Sequence, residues 1–110
     1  MSGWIGVDLD GTLARHGGGA AGAIGEPIPA MMARVDGWLQ EGREVRIVTA
    51  RVASCNASDL VEEARQAIDA WCLTHLCRTL PVTSEKDYGM VALYDDRAIQ
   101  VETNTGRLIG

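Results

Sequence analysis

The apolar run Trp4-Ile5-Gly6-Val7-Asp8-Leu9, stopped by Asp10-Gly11-Thr12, is the feature that most constrains this chain. A run this short and this apolar reads as a buried strand entering a turn, so the rest of the sequence must supply what covers it. After Glu26-Pro27-Ile28-Pro29, the residues Ile28, Met31, Met32, Val35, Trp38 and Leu39 recur at helical spacing, with proline near the start and Gly42 as a stop. Glu44 to Thr49 reads as a second strand. A second helix is expected from about Ser58 to Cys77, with Ser58 as N-cap and Asp59, Glu62 and Glu63 near the positive end of its dipole. Its buried face would be Leu60, Ala64, Ala67, Ile68, Trp71, Cys72 and Leu76. Thr79 to Val82 is a short third strand and Met90 to Tyr94 a fourth. Ala98 to Val101 is a fifth, before a turn at Asn104-Thr105-Gly106. Alternation of this kind predicts an α/β sandwich with a mostly parallel sheet, in one domain over residues 1–110.

Composition excludes several classes of function. The net charge of −5 argues against a protein built to grip a nucleic-acid backbone, where a basic face is expected. A phosphorylated substrate stays compatible, because a bound cation reverses the local field. The three cysteines, Cys55, Cys72 and Cys77, have no paired spacing and do not form a disulfide framework, so a reducing cytoplasm is expected. No stretch approaches the roughly 20 apolar residues that span a bilayer, and Met1-Ser2-Gly3-Trp4 does not open like a signal peptide. Asn56-Ala57-Ser58 fits a glycosylation pattern by chance.

In open parallel sheets the ligand lies beyond the carboxyl ends of the strands, and the polar residues gather there. Asp8 and Asp10 end the first strand, Thr49 the second, and Asp95 and Asp96 follow the fourth, while Lys86 lies in the preceding loop. Four carboxylates against one lysine would resist ionisation if brought together. A divalent cation relieves that conflict. Oxygen donors with no histidine or cysteine beside them select a hard ion, with Mg²⁺ the default.

Val7-Asp8-Leu9-Asp10-Gly11-Thr12 resembles the first motif of the haloacid-dehalogenase-like superfamily, Asp-x-Asp-Gly-Thr. Ile47-Val48-Thr49 resembles its second, Lys86 its third and Leu93-Tyr94-Asp95-Asp96 its fourth. The four occur in order and span nearly the whole chain. The resemblance implies a Rossmann-like three-layer sandwich and a Mg²⁺-dependent phosphatase. Asp8 would attack phosphorus to form an aspartyl-phosphate, and Asp10 would protonate the leaving oxygen and then activate water. Mg²⁺ would be held by the Asp8 carboxylate, the Asp10 main-chain carbonyl and Asp95, with Asp96 in support. Thr49 and the Ala50 N–H would hold phosphoryl oxygens, and Lys86 would steady Asp8. Gly11 would permit the turn that presents the acids, with Thr12 and Arg51 beside the substrate. The acid at position 10 resembles the phosphatase branch; the dehalogenase branch lacks it.

Neither gap between the motifs has room for a folded cap domain, so the chain resembles a capless member whose open site is shielded by a bulky phosphate ester or by a second copy completing the sheet edge. The Gly18–Gly25 loop would be a partial flap. Asp95-Asp96-Arg97 also resembles the phosphatase domain of phage polynucleotide kinases, which points to a nucleotide or a nucleic-acid 3′-phosphate. A non-catalytic binding module and a phosphotransferase are the alternatives, the latter disfavoured by the missing cap that would exclude water. Arg51 divides between contact with a second phosphate or carboxylate of the substrate and a surface salt bridge, and Arg97 between holding the acid pair in place and a merely structural role. His16 reads as solvated, Cys72 and His75 as packing rather than zinc ligands, and Trp38 and Trp71 as core.

Overall fold

The structure, a computed structural model, describes residues 3–16 and 22–110. Residues 18–21 of the expected flap lie outside the described residues. The elements are β1 (Trp4–Asp8), α1 (Pro29–Gln40), β2 (Glu44–Val48), a short 3₁₀ turn (Ala50–Val52), α2 (Ser58–Leu76), β3 (Val82–Thr83) and β4 (Met90–Tyr94). The strands form one sheet in the order β3-β2-β1-β4, and every pairing is parallel.

The two helices share a side of this sheet. Side chains alternate along a strand, so Ile5 and Val7 point one way and Trp4, Gly6 and Asp8 the other. Ile5, Val7, Val45 and Ile47 are buried in one cluster with Val35 of α1 and Ile68, Trp71 and Cys72 of α2. Topology explains this. The steps β1 to β2 and β2 to β3 run in the same direction across the sheet, and right-handed crossovers in one direction place their helices on one face. The return from β3 to the far edge at β4 would place a helix on the opposite face, but residues 84–89 make it without one. The expected Rossmann-like α/β architecture is thus present, with both helices on one face of the parallel sheet and that crossing segment on the other.

Trp4 takes over the role of a core on the second face. It is buried at 2% exposure, with the Arg46 guanidinium 4.4 Å from its ring centroid. Asp87 accepts from Trp4 Nε1 at 2.8 Å and pairs with Arg46 at 3.5 Å, which pins the crossing segment beside the start of β1. The Trp4 hydrogen bond, with Gly89 and Arg46 beside it, holds the Asp87 carboxyl below its ordinary range.

Local chemistry sets the helix ends. Pro29 occupies the first turn of α1. Gly42 takes φ +80°, and the Gly42 and Arg43 N–H groups donate to the Leu39 and Trp38 carbonyls, a Schellman end. At α2 the expectation is corrected: Ala57 is the N-cap residue and Ser58 the first helical one, with no side-chain cap. Leu60 and Ala67 are exposed, because the helix turns Ile68, Trp71 and Cys72 inward. The third strand is displaced to Val82–Thr83, where Ile47 and Thr49 donate to the Pro81 and Thr83 carbonyls.

The expected fifth strand is absent from the sheet. Val101 instead bridges Leu108 in a local antiparallel hairpin turning through Asn104 and Gly106, both at positive φ. Closing that short loop costs less entropy than returning to the sheet. No helix among the described residues is long and apolar enough to cross a membrane.

Two contacts connect this scaffold to the carboxyl edge. Trp38 of α1 meets Tyr94 at a ring separation of 4.8 Å, beside Asp95. Trp71 Nε1 donates to the Gly25 carbonyl at 3.0 Å, and Arg15 and Glu26 are joined through their main chains at 2.8 Å. Trp71→Phe removes one donor and leaves that carbonyl unmatched. We expect it to cost about 1 kcal/mol, read as a fall of about 4 °C in thermal midpoint.

Candidate functional site

Asp8 and Asp95 meet because β4 crosses the molecule to pair with β1. The register sets Val7 against Tyr94, so the residues that follow, Asp8 and Asp95, emerge side by side. Asp8, Asp95 and Asp96 each present one carboxylate oxygen within 4.8 Å of the others.

Thr12 organises this group. After Leu9 the chain turns tightly, with the Leu13 and Ala14 N–H groups donating to the Leu9 carbonyl, and buries Thr12 behind the acids. Its Oγ1 accepts from the Asp96 N–H at 2.9 Å and lies 3.2 Å from Asp8 Oδ2 and 3.1 Å from Asp96 Oδ1. A hydroxyl has one proton, so it donates to one carboxylate at a time and leaves the other more exposed to repulsion. Gly11 makes the turn possible at φ +92°, where a Cβ would stand 2.5 Å from Asp96 Oδ2.

The electrostatic consequence falls on Asp8. Burial, the nearby Asp95 charge and the Asp96 contact push its carboxyl up from 3.8 to about 6, against the opposing Thr12 hydrogen bond.

Asp10 is held by a different partner. Its carboxylate lies outside the cluster and accepts from Arg51 Nε at 2.7 Å and Nη2 at 2.9 Å. Arg51 also donates to the Gly22 carbonyl at 2.7 Å and the Ala23 carbonyl at 3.3 Å. The 3₁₀ turn positions it: buried Thr49 accepts from the Arg51 N–H at 3.2 Å, and Asn56 Nδ2 donates to the Ala50 and Arg51 carbonyls. The Asp10 hydrogen bond raises the guanidinium further above its ordinary value.

Two cavities flank Asp8. One, of about 330 Å³, is lined by Asp8, Asp10, His16, Thr49, Ala50, Arg51, Asp96 and Arg97. The other, of about 490 Å³, shares Asp8, Thr49, Ala50 and Arg97 and adds Asp95, Cys55, Ser84 and Glu85. Asp8, Asp10, Thr49, Ala50, Arg51, Asp95 and Asp96 are thus brought together, with Gly11 and Thr12 forming the turn beneath them. Lys86 is not. It is exposed in the crossing segment and lines neither cavity, because Asp87 is pinned toward the opposite end of β1. The cations at the cavities are Arg51 and Arg97.

Two features escaped the sequence. The Thr12 bridge between Asp8 and Asp96 depends on a Thr12–Asp96 contact spanning 84 positions and has no local pattern. The Arg51–Asp10 pair links positions 41 apart; the only signal was a basic residue two places after a strand-end threonine.

No protein-family model matches the chain, and no curated protein matches it. A solved structure is similar, that of a conserved protein coded by a locus from Bacteroides thetaiotaomicron, at 20% identity and a TM-score of 0.57, over 89% of this chain and 78% of that one. At that identity the likeness shows the fold.

Proposed function

We propose that this protein is a Mg²⁺-dependent phosphomonoester hydrolase of the haloacid-dehalogenase-like kind. The observation that carries the reading is the meeting of the Asp8, Asp95 and Asp96 carboxylates at the carboxyl ends of adjacent parallel strands. An all-oxygen donor set of this charge fits a small hard cation, and the raised Asp8 carboxyl marks a site that gains from one. Those three carboxylates would hold the ion. Bound there, Mg²⁺ would supply the positive charge that lets an anionic phosphoryl group approach an anionic nucleophile.

The chain's own groups account for the reaction. An Asp8 oxygen attacks phosphorus, the bond from phosphorus to the ester oxygen breaks, and the alcohol leaves with a proton from Asp10. Asp10 then accepts a proton from water, whose oxygen attacks the aspartyl-phosphate, releasing phosphate and restoring Asp8. Thr49 and Ala50, which line both cavities, would hold phosphoryl oxygens, and Arg97, which also lines both, would supply positive charge beside them. The described residues include no cap, so the alcohol side of the ester faces solvent through the cavity of Asp10, Arg51 and His16. A polymer-end or nucleotide phosphate suits that opening.

The test is phosphate release from a panel of esters, including a 3′-phosphorylated oligonucleotide, with Mg²⁺ and with chelator. Release that needs Mg²⁺ supports the reading. Absence of release from every ester by folded, Mg²⁺-binding protein would replace it with a binding module.

A further inference from the structure

We infer that Arg51 is a latch on Asp10, opened when a second anionic group of the substrate takes the guanidinium; this rests on the phosphatase reading above. Both Asp10 oxygens accept from Arg51, at 2.7 and 2.9 Å. In that position both carboxylate oxygens are taken up by the guanidinium, although Asp10 lines the same cavity as Asp8 and Asp96. The guanidinium therefore occupies the oxygens that would have to serve the ester oxygen.

The same cation has a built cradle. The Gly22 and Ala23 carbonyls receive two further donors, and the Thr49 and Asn56 bonds fix the main chain beneath it. A planar fork held this way is matched to a carboxylate or a phosphate alike. Asp10 thus fills an anion position on the wall of the cavity that receives the alcohol side of the ester. A substrate whose leaving alcohol bears a phosphate or phosphonate would occupy that position, and Asp10 would be free to rotate toward the ester oxygen. The preferred class is a phosphomonoester carrying a further anion a few bonds from the ester oxygen. Arg51 is a positioning residue here, acting through Asp10.

Two readouts test the latch. In metal-free protein the Arg51 Nε–H resonance, identified by its loss in Arg51→Gln, should move on addition of methylenediphosphonate. A resonance unmoved at saturating diphosphonate overturns the proposal, whatever the enzyme does. With Mg²⁺, kcat/KM is compared for propyl phosphate and 3-phosphonopropyl phosphate, which share a leaving-group chemistry. The native protein should favour the phosphonate ester by about tenfold or more, and Arg51→Gln should bring the ratio to about one while raising kcat for propyl phosphate. A parallel fall on both esters, with the ratio kept, would show Arg51 to be structural only and overturn the latch. A moving resonance with no hydrolysis of either ester by native protein would instead defeat the phosphatase reading, and the gating role with it.

Discussion

Asp8→Asn is expected to have opposite effects on catalysis and on stability. Phosphate release should fall on the order of 10⁴-fold or more, because the variant has no oxygen nucleophile to form the covalent intermediate. Metal-free protein should nevertheless become more stable at neutral pH. The sign follows from the direction of the shift. Asp8 is raised from 3.8 to about 6 in the folded chain, so the native state holds its proton more tightly than the unfolded state does. Stability from this group is present below about pH 4, declines as pH rises through the interval, and is a full deficit above about 6. The amide removes the deficit while keeping an acceptor for Thr12. Asp8 is partly open to solvent, so the gain is about 1 kcal/mol rather than the larger figure the whole shift implies.

Mg²⁺ should reverse that order. An ion that binds only the folded state stabilises it by about 2.7 kcal/mol at a hundredfold excess over its dissociation constant, and the variant lacks one of the three carboxylates that would hold it. Thermal unfolding of both proteins, with Mg²⁺ and with chelator across pH 4 to 8, reads the crossing. An Asn variant less stable than native protein in chelator at neutral pH would show that the acid cluster is not the strained group described here. Equal stabilisation of both by Mg²⁺ would place the ion elsewhere.

How much of this was legible beforehand depends on the range of the interaction concerned. β1 and α1 were readable because their signals are local: an apolar run stopped by Asp-Gly-Thr, and a helical repeat with proline at one end and glycine at the other. The acids at the strand ends were placed by the general rule for parallel sheets. Lys86 lines neither cavity because the path of residues 84–89 is decided by Asp87 meeting Trp4 Nε1, a contact spanning 83 positions that no local pattern announces. Ala98–Val101 has strand composition, yet hydrogen-bond partners decide whether such a segment joins a sheet, and its partner is the adjacent Leu108. The single helical layer follows from strand order, and no local pattern encodes strand order.

Gly11→Ala should separate the cost of backbone strain from the loss of the site. Gly11 lies at φ +92°, and its added Cβ would stand 2.5 Å from Asp96 Oδ2. A non-glycine residue there costs about 1–3 kcal/mol. The carboxylate is able to move aside, but doing so breaks its contact with Thr12 and withdraws it from Asp8 and Asp95. Gly42 supplies the comparison, since it has φ +80° and nothing within 4 Å of an added Cβ. Gly42→Ala should therefore lower the thermal midpoint by a similar amount, on the order of 4–10 °C, while Mg²⁺ still stabilises the protein and supports hydrolysis. Gly11→Ala should show the same strain and lose most of both Mg²⁺ effects. If it kept full Mg²⁺ stabilisation, the turn would not be what holds Asp96 in the cluster, and the assignment of Asp96 as a ligand would fall. If Gly42→Ala lost Mg²⁺ binding as well, the effect would belong to general destabilisation. The contrast between the two alanines thus isolates the one position at which the backbone must be glycine for the carboxylates to meet.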